Sequence, residues 1–549
     1  MKPGFKIPRS AWLWLAAVLL MVGEFVLFDR MTSLHHASVY PRWNDQIQYL
    51  RESYTAYEEA KAHGLAAGFK FALEKPALQG TLHDTAALCI FWLVGSASRS
   101  AALSLNMLVF LAWQASLLAA LPRISGSRTL GWLGFALLPC LAGPWTGAAG
   151  SAVDFRLDHA AMCLLGLTAV AALLTRGFRS WRWSLLFGMA VAVTLLGRFL
   201  TGVYFAGIFL AYGIWILCGD GRWPRLRNLC LAGLTAAALA GPMFWVNRVN
   251  IYNYYWVGHI TGAEGAARLH SMDLAQALQF VFGNLADLHL GACFGWTVAG
   301  VTIVLVGLWA LRRKAGSGLD RDWLFTGLIF LLIPALVLTV HPQKSQLVLG
   351  VLVPGVILLV LWAWTQLWQR LDLAGMDPEW RVVPVVLVLG VIASGVCYFV
   401  QRQLIQTHTE EFLEGDRQAR VIADYIFRDS RARGIGSPVI GVDQIVDFLD
   451  AQILQVVCYE RHKVWISFGL QLPQSILTEK DDVIFYRLRL CDYMLVTDSM
   501  PGDGFWPYDH QMRRLFPQVK AWCDEHFRRA GTYTLFQRQM TLYVRPSQP

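Results

Sequence analysis

Long apolar runs separated by short basic links dominate the chain. A membrane-crossing helix needs about 20 apolar residues, and runs of this kind lie at about 11–28, 101–121, 129–149, 159–175, 183–197, 200–218, 228–246, 296–311, 323–340, 347–368 and 382–400. The pattern predicts eleven spans. A further apolar segment, Thr85 to Val94, is short and ends in Gly95-Ser-Ala-Ser-Arg-Ser100. Whether it crosses sets the parity of everything after it. Short cytoplasmic loops collect Lys and Arg. If 85–94 lies half-inserted on the outer side, the inside loops hold Lys2/Lys6/Arg9, Arg123/Arg128, Arg176/Arg179/Arg182, Arg222/Arg225/Arg227, Arg312/Arg313/Lys314/Arg321 and Arg370/Arg381. If it crosses, all but the first of those clusters fall outside. The pattern therefore predicts a juxtamembrane helix at 85–94, the N-terminus inside and the tail outside. The start, Lys2 to Arg9 followed by an apolar run, superficially resembles a signal peptide. Ala11 to Phe28 lacks a small-residue cleavage site, so it is expected to be an uncleaved first helix.

This parity gathers the polar pieces on the outer face. They are a first loop at 29–100, the short run Ala152-Val-Asp-Phe-Arg-Leu-Asp-His159, the aromatic-rich 247–295, the link His341-Pro-Gln-Lys-Ser-Gln346, and a tail from about 401. Charged residues at helix mouths are costly unless they are paired or line a polar cavity, and their convergence on one face is the main sign of a site. The tail has ordinary soluble composition. It reads as a helix over Glu410 to Arg433, then β-rich runs at Pro438–Val442, Val464–Phe468, Val483–Tyr486, Tyr493–Thr497, Thr532–Phe536 and Met540–Val544, which together predict a small α/β domain. The expected fold class is mainly α: a polytopic helical membrane module over 1–400 with an extramembrane α/β domain over 401–549.

Composition agrees. Of 549 residues 55% are hydrophobic and only 15% charged, well below the quarter or so typical of soluble domains. The 23 Trp and 30 Phe suit a lipid-facing surface with interfacial belts. The net charge of +9 sits in short clusters between apolar runs, so it reads as a topology signal and excludes nucleic acid as the implied partner. Ten Cys are scattered without a C-x-x-C pair, which argues against a zinc or redox motif. Cys458, Cys491 and Cys523 lie in the tail, where one disulfide could form in an oxidising compartment.

The candidate chemistry starts at Tyr40-Pro-Arg-Trp-Asn-Asp-Gln-Ile-Gln-Tyr49. Asp45 stands between Trp43 and Tyr49, and a carboxylate beside aromatic surfaces that stack on sugar rings can act as general base towards a hydroxyl. The alternative is a helix-capping or solvated Asp, because a helix-like run, Gln46–Glu59, follows. Asp154, Arg156, Asp158 and His159 precede a span; they could bind substrate hydroxyls, form a structural ion pair, or offer a metal contact through His159. Arg198 interrupts an apolar run at the outer ends of two consecutive spans, where a guanidinium can hold a phosphate or simply snorkel to lipid. His341 and Lys344 are similarly placed. Asn250-Ile-Tyr-Asn-Tyr-Tyr-Trp256, with Tyr255 and the nearby His259, could be a saccharide platform or an interfacial aromatic belt.

With these residues in place, the layout resembles the polyprenyl-phosphate-dependent membrane glycosyltransferases of the GT-C superfamily. It is most similar to protein O-mannosyltransferases and the aminoarabinose transferases that modify lipid A. In those families a large outer loop after the first span carries Asp-Glu-x-x-Tyr; here the run is Asp45-Gln46-Ile47-Gln48-Tyr49, with Gln in place of Glu. The family loop ends in a membrane-lying helix beginning near a Pro, similar to Pro76-Ala-Leu and the 85–94 segment. Asp158, Leu196-Gly197-Arg198, and Gln343-Lys344-Ser345 through Pro354 are similar to the family's later acidic and basic motifs. The resemblance covers about residues 11–400 and rests on the order of short motifs. It implies inversion at the anomeric carbon of a sugar carried on a polyprenyl phosphate. Asp45 would orient or deprotonate the acceptor. Arg198, Lys344 and His341 would meet the lipid phosphate; Trp43, Tyr49, Asp154, Asp158, His159, Tyr255 and His259 would meet substrate. Some members use a divalent metal; this chain shows no decisive ligand set, and no cofactor is expected with certainty. The implied partners are the lipid-linked sugar, membrane lipids, and an acceptor glycan, lipid or protein. The implied location is a bacterial inner membrane, with the tail periplasmic. The competing expectations are a transporter or flippase of a lipid-linked saccharide, an O-antigen ligase or polymerase, and a non-catalytic scaffold displaying the tail.

Overall fold

The structure is a computed structural model. It describes residues 9–41, 44–146, 150–261, 272–311, 320–371, 382–405, 408–443, 451–465, 468–472, 480–499, 507–535 and 538–546. Among the described residues eight helical stretches are long and apolar enough to cross a membrane: Ala11–His35, Arg99–Ser125, Leu157–Leu174, Arg222–Gly258, Leu274–Ala310, Arg321–Val340, Gln346–Gln369 and Val383–Arg402. The chain is a multi-pass helical membrane protein. Two more expected spans are shorter apolar helices, Trp181–Gly197 and Thr201–Leu217. The run expected to span at 129–149 is broken rather than one continuous helix: a helix over Arg128–Leu137 is followed by tight turns at Leu138–Cys140 and Gly143–Trp145. Pro139 and Pro144 explain the break, since each removes an amide donor and blocks the preceding helical turn.

In chain order, α1 (Arg9–His35) leads into a loop that is itself helical: α2 (Asn44–His63), α3 (Leu65–Glu74) and α4 (Leu82–Val94). α4 has 13 residues, about 20 Å of helix, too short for a hydrocarbon layer of about 30 Å. The membrane-spanning part continues with α5 (Arg99–Ser125), α6 (Arg128–Leu137), α7 (Leu157–Leu174), α8 (Trp181–Gly197), α9 (Thr201–Leu217) and α10 (Arg222–Tyr252). A π-helical turn over Asn253–Thr261 follows α10. After α11 (Leu274–Asn284) come α12 (Gly291–Leu311), α13 (Arg321–Val340), α14 (Val353–Gln369) and α15 (Val383–Ile405).

The basic links meet at one end of this bundle. Arg176 donates to the Arg123 carbonyl at 2.9 Å. Arg179 and Arg225 converge on one carboxylate, Asp322, at 3.1 Å and 3.7 Å. α7 has 18 residues, so about 27 Å separates this end from Asp158. The polar segments of the first loop, 152–158 and 341–348 gather at the other end.

The tail is a small α/β unit. Its helix α16 (Glu410–Ala432) precedes a five-stranded sheet of β1 (Val439–Val442), β2 (Phe468–Gln471), β3 (Tyr493–Thr497), β4 (Arg528–Leu535) and β5 (Arg538–Val544), in the order β2-β1-β3-β5-β4. β1 is parallel to β2 and β3, and β5 is antiparallel to β3 and β4. Helices Ala451–His462 (α17), Asp481–Leu490 (α18) and Pro507–His526 (α19) complete it. The strand expected at Val483–Tyr486 is part of α18. Asp481 and Asp482 in its first turn and Arg487 and Arg489 in its last suit the helix dipole, and Ile484 and Leu488 are buried one turn apart. Of the strand expected at Val464–Phe468, Phe468 belongs to β2, Val464 and Trp465 are not in a strand, and 466–467 lie outside the described residues. All ten cysteines are free thiols, so the tail disulfide does not form.

The tail grips the first loop. Tyr54 of α2 donates to Glu460 of α17 at 2.6 Å, and Tyr459 of α17 donates to Glu58 of α2 at 2.6 Å. The two rings stack at 5.0 Å, and Trp465 stacks on Tyr459 at 4.5 Å. Asp416 accepts from the Tyr40 amide at 2.7 Å, and Arg420 donates to the Ser38 carbonyl at 2.6 Å. Burial pushes the Glu460 carboxyl above its ordinary range. Truncating Tyr459 to Ala is expected to cost about 3–5 kcal/mol, the range for deleting a buried aromatic ring. The tail should then become protease-sensitive at a lower temperature than the helical bundle, which limited proteolysis with thermal melts would read.

Candidate functional site

α2 places Asp45 in its first turn, where the positive end of the helix favours a carboxylate. The side chain is exposed to a cavity, and Tyr49, one turn on, is buried against the same space. Gln46 explains why this helix end stays put. It is buried, and its side-chain oxygen accepts from the Phe155 amide at 3.2 Å. Further along α2, Ser53 donates to Asp84 at 3.0 Å, and Lys75 bridges Glu52 and Asp84. This buried ion cluster fixes α2 against α3 and α4.

The 152–158 segment comes to Asp45 from below. Asn106 of α5 donates to the carbonyls of Ala152 and Asp154 at 3.2 Å and 2.9 Å. Asp154 pairs with Arg156, both buried, and burial raises the Asp154 carboxyl to about 6 against the pull of Arg156. Asp158 opens α7 and pairs with Arg198.

Arg198 sits in the elbow between α8 and α9, where its amide still bonds to Thr194 but its φ and ψ are extended. The first loop lies directly on this elbow: Thr81 N donates to Leu196 O at 2.8 Å and Phe199 N to Gln79 O at 2.6 Å. Gly80 is needed there, because a Cβ would stand 2.5 Å from the Gly197 oxygen. Burial opposes the charge of Arg198, but Asp158 and the surrounding tyrosine oxygens more than offset it, so the guanidinium stays protonated. The π-helical turn after α10 brings Tyr254 and Tyr255 to the same place, with Tyr254 accepting from Gln79 Nε2 at 2.6 Å. Turns of this kind are frequent at functional sites.

These elements enclose a cavity of about 150 Å³. Six of the residues picked from the sequence line it: Asp45, Tyr49, Asp158, Arg198, Tyr255 and His341. They come from α2, α7, the α8–α9 elbow, the turn after α10 and the link after α13. Asp154, His159 and Lys344 are not among the lining residues. Asp154 is turned to Arg156. His159 is buried inside the bundle, its Nε2 3.6 Å from the Cys163 sulfur. Lys344 donates to the carbonyls of Leu338, Thr339 and His341 at 3.1, 2.6 and 2.7 Å, closing the C-terminal end of α13. Trp43 and the side chain of His259 lie outside the described residues. The cavity also holds Gln79 and Tyr204, which motif order did not mark, and Arg156, Gln343 and Ser345, which stood in the sequence motifs without being singled out. Arg156 was visible only as part of its cluster. Tyr204 had no signal, because a tyrosine in an apolar helix reads as packing. Among the described residues no group of three His, Cys, Asp or Glu could hold a metal ion.

Chemically, the cavity offers two guanidiniums, a histidine and several phenols beside two carboxylates, Asp45 and Asp158, each in the first turn of a helix. Such a set can hold a phosphate and present a base to a hydroxyl.

No family model and no curated protein matches the sequence. Solved structures do match in three dimensions. The crystal structure of ArnT from Cupriavidus metallidurans bound to undecaprenyl phosphate aligns over 98% of this chain and 99% of that one, with TM-score 0.59 and 13% identity. The apo state of the same protein aligns over 97% and 98%, with TM-score 0.55 and 14% identity. The archaeal oligosaccharyltransferase AglB from Archaeoglobus fulgidus, in complex with an inhibitory peptide and a dolichol-phosphate, aligns over 98% of this chain and 75% of that one, with TM-score 0.51 and 11% identity. The chain shares the fold of these structures, as the order of motifs led us to expect, and the likeness covers nearly all of this chain, the C-terminal α/β unit included.

Proposed function

We propose that the chain is an inverting glycosyltransferase that moves a sugar from a polyprenyl-phosphate donor to an acceptor hydroxyl at the outer face of a bacterial inner membrane. The observation that carries this reading is the cavity, which sets Asp45 against Arg156, Arg198 and His341 at the end of the bundle away from the basic links. By the positive-inside rule the basic end is cytoplasmic, so the cavity and the tail are periplasmic. The fold neighbours bound to undecaprenyl phosphate and dolichol-phosphate support the donor class.

In this mechanism the donor phosphate lies against Arg198 and Arg156, with His341 at its edge. Asp158 engages one N–H of Arg198, and a guanidinium has five in a fixed fork. Charge on the phosphate grows as the glycosidic bond breaks, so donors already aimed at it favour the transition state over the bound donor. Asp45 accepts the proton of the attacking hydroxyl from the opposite side of the sugar, which gives inversion. Tyr49, Tyr254 and Tyr255 supply ring faces and hydroxyls for the sugar, and Trp43 and His259 are proposed to extend that surface. Lys344 acts at one remove, by fixing the turn that carries His341. Asp154 likewise acts through Arg156.

A flippase or transporter would use ionisable groups along a path at mid-membrane depth. Glu24, in the middle of α1, is buried and lines none of the site cavity. The test is a proteoliposome assay with a panel of radiolabelled polyprenyl-phosphate sugars and a periplasmic membrane extract as acceptor. Transfer with release of the polyprenyl phosphate is the expected result. Movement of intact donor between leaflets without release would overturn the proposal. Lys344→Ala should lower the melting temperature, costing about 1–2 kcal/mol for lost helix-end bonds, while donor KM moves far less than in an Arg198 variant.

A further inference from the structure

A second cavity of about 320 Å³ lies at the basic end of the bundle, between the start of α1, the end of α5 and the start of α6. Trp14 and Leu13 form one wall, Pro122 and Arg123 the second, and Arg128 and Trp132 the third. Two guanidiniums therefore stand over an apolar floor flanked by two indoles. Of the other arginines traced at this end, Arg179 and Arg225 share Asp322, and Arg176 donates to the Arg123 carbonyl. Arg123 is different: its Nη1 only donates back to the Ala119 carbonyl of its own helix. Among the described residues neither Arg123 nor Arg128 has a carboxylate partner. From Trp14 in the cavity wall an exposed apolar strip runs along α1 through Val18 and Val22, each one turn further on.

We infer that this groove is a binding site for one anionic glycerophospholipid, its phosphate between Arg123 and Arg128 and its acyl chains along the exposed strip of α1. Charge complementarity selects the headgroup, the flanking indoles suit the depth at which ester groups lie, and the apolar strip is what distinguishes a lipid from a soluble anion. The site would tie α1, which is largely exposed, to the α5–α6 hairpin. It is independent of the reaction proposed for the other end of the bundle, about 27 Å away.

The test is native mass spectrometry of the full chain in micelles carrying equal amounts of phosphatidylglycerol and phosphatidylcholine. Wild type should retain one phosphatidylglycerol with about tenfold preference, somewhat less than two arginines contribute together at a membrane surface. R123Q/R128Q should bring the ratio near one, and R182Q, at the same end but outside the cavity, should leave it unchanged. Millimolar inorganic phosphate should not displace the lipid. A wild type without preference overturns the inference whatever the variants do. So does a double variant that keeps its preference, an R182Q variant that loses it, or displacement by phosphate.

Discussion

Replacing Asp45 by Asn is expected to lower kcat by roughly 100- to 10,000-fold, the range supplied by a positioned general base. Donor KM should hardly move. The side chain keeps its size and its place in the first turn of α2, so the cavity keeps its shape. What is lost is the ability to accept a proton. Three attachments hold α2 in place without Asp45: Gln46 to the Phe155 amide, Lys75 bridging Glu52 and Asp84, and the stacked Tyr54 and Tyr459 of the tail. The competing account of Asp45, a carboxylate that merely complements the helix dipole, predicts a different result. Losing that role costs about 0.3–1 kcal/mol of stability and leaves turnover intact. Steady-state kinetics with the preferred donor, beside a thermal melt, separate the two. Wild-type kcat in Asp45→Asn would remove Asp45 from the reaction.

The gathering of the basic links at one end was legible because it depends on where the basic residues are, and Arg176, Arg179 and Arg225 do meet Arg123 and Asp322 there. Asp45, Asp158, Arg198 and His341 were legible for a related reason. Each is a polar residue at the edge of an apolar run, and edges on the same face converge. The method weakens where a residue's task is decided by its neighbours rather than by its position. Lys344 sits two residues from Gln346 in a promising link, yet its ammonium is taken by three carbonyls at the end of α13. His159 follows Asp158 directly, and the helical rotation of about 100° per residue turns it into the bundle. Gln46 looked like a lost acid of the Asp-Glu-x-x-Tyr pattern; it is a buried anchor, a role an amide fills without a desolvated charge. In the tail, Val483-Ile-Phe-Tyr486 has strand-forming side chains, but the acidic and basic residues flanking it favour a helix. The grip of the tail on α2 had no signal at all, since Tyr54 and Tyr459 are about 400 residues apart.

That grip matters to the second large effect expected, at Arg198. Arg198→Ala removes one partner of a buried pair and leaves the Asp158 carboxylate without its counter-charge. The cost for stranding a buried charge is about 3–5 kcal/mol, enough to unfold a marginal protein. A loss of transfer in this variant alone would therefore say nothing about donor phosphate. The informative variant is Arg198→Met with Asp158→Leu. Exchanging both members of a buried ion pair for apolar side chains of similar volume is close to neutral or stabilising, so the double variant should melt near wild type, with α2 still held by Gln46 and the tail. If Arg198 holds the donor phosphate, donor KM should nevertheless rise by roughly 10- to 100-fold, the worth of one lost charge-assisted contact. kcat should fall as well, because the contact strengthens as charge builds on the leaving phosphate. A double variant that melts like wild type and also transfers sugar like wild type would make the Arg198–Asp158 pair a structural brace. Arg156 would then be the cation to test next against the phosphate.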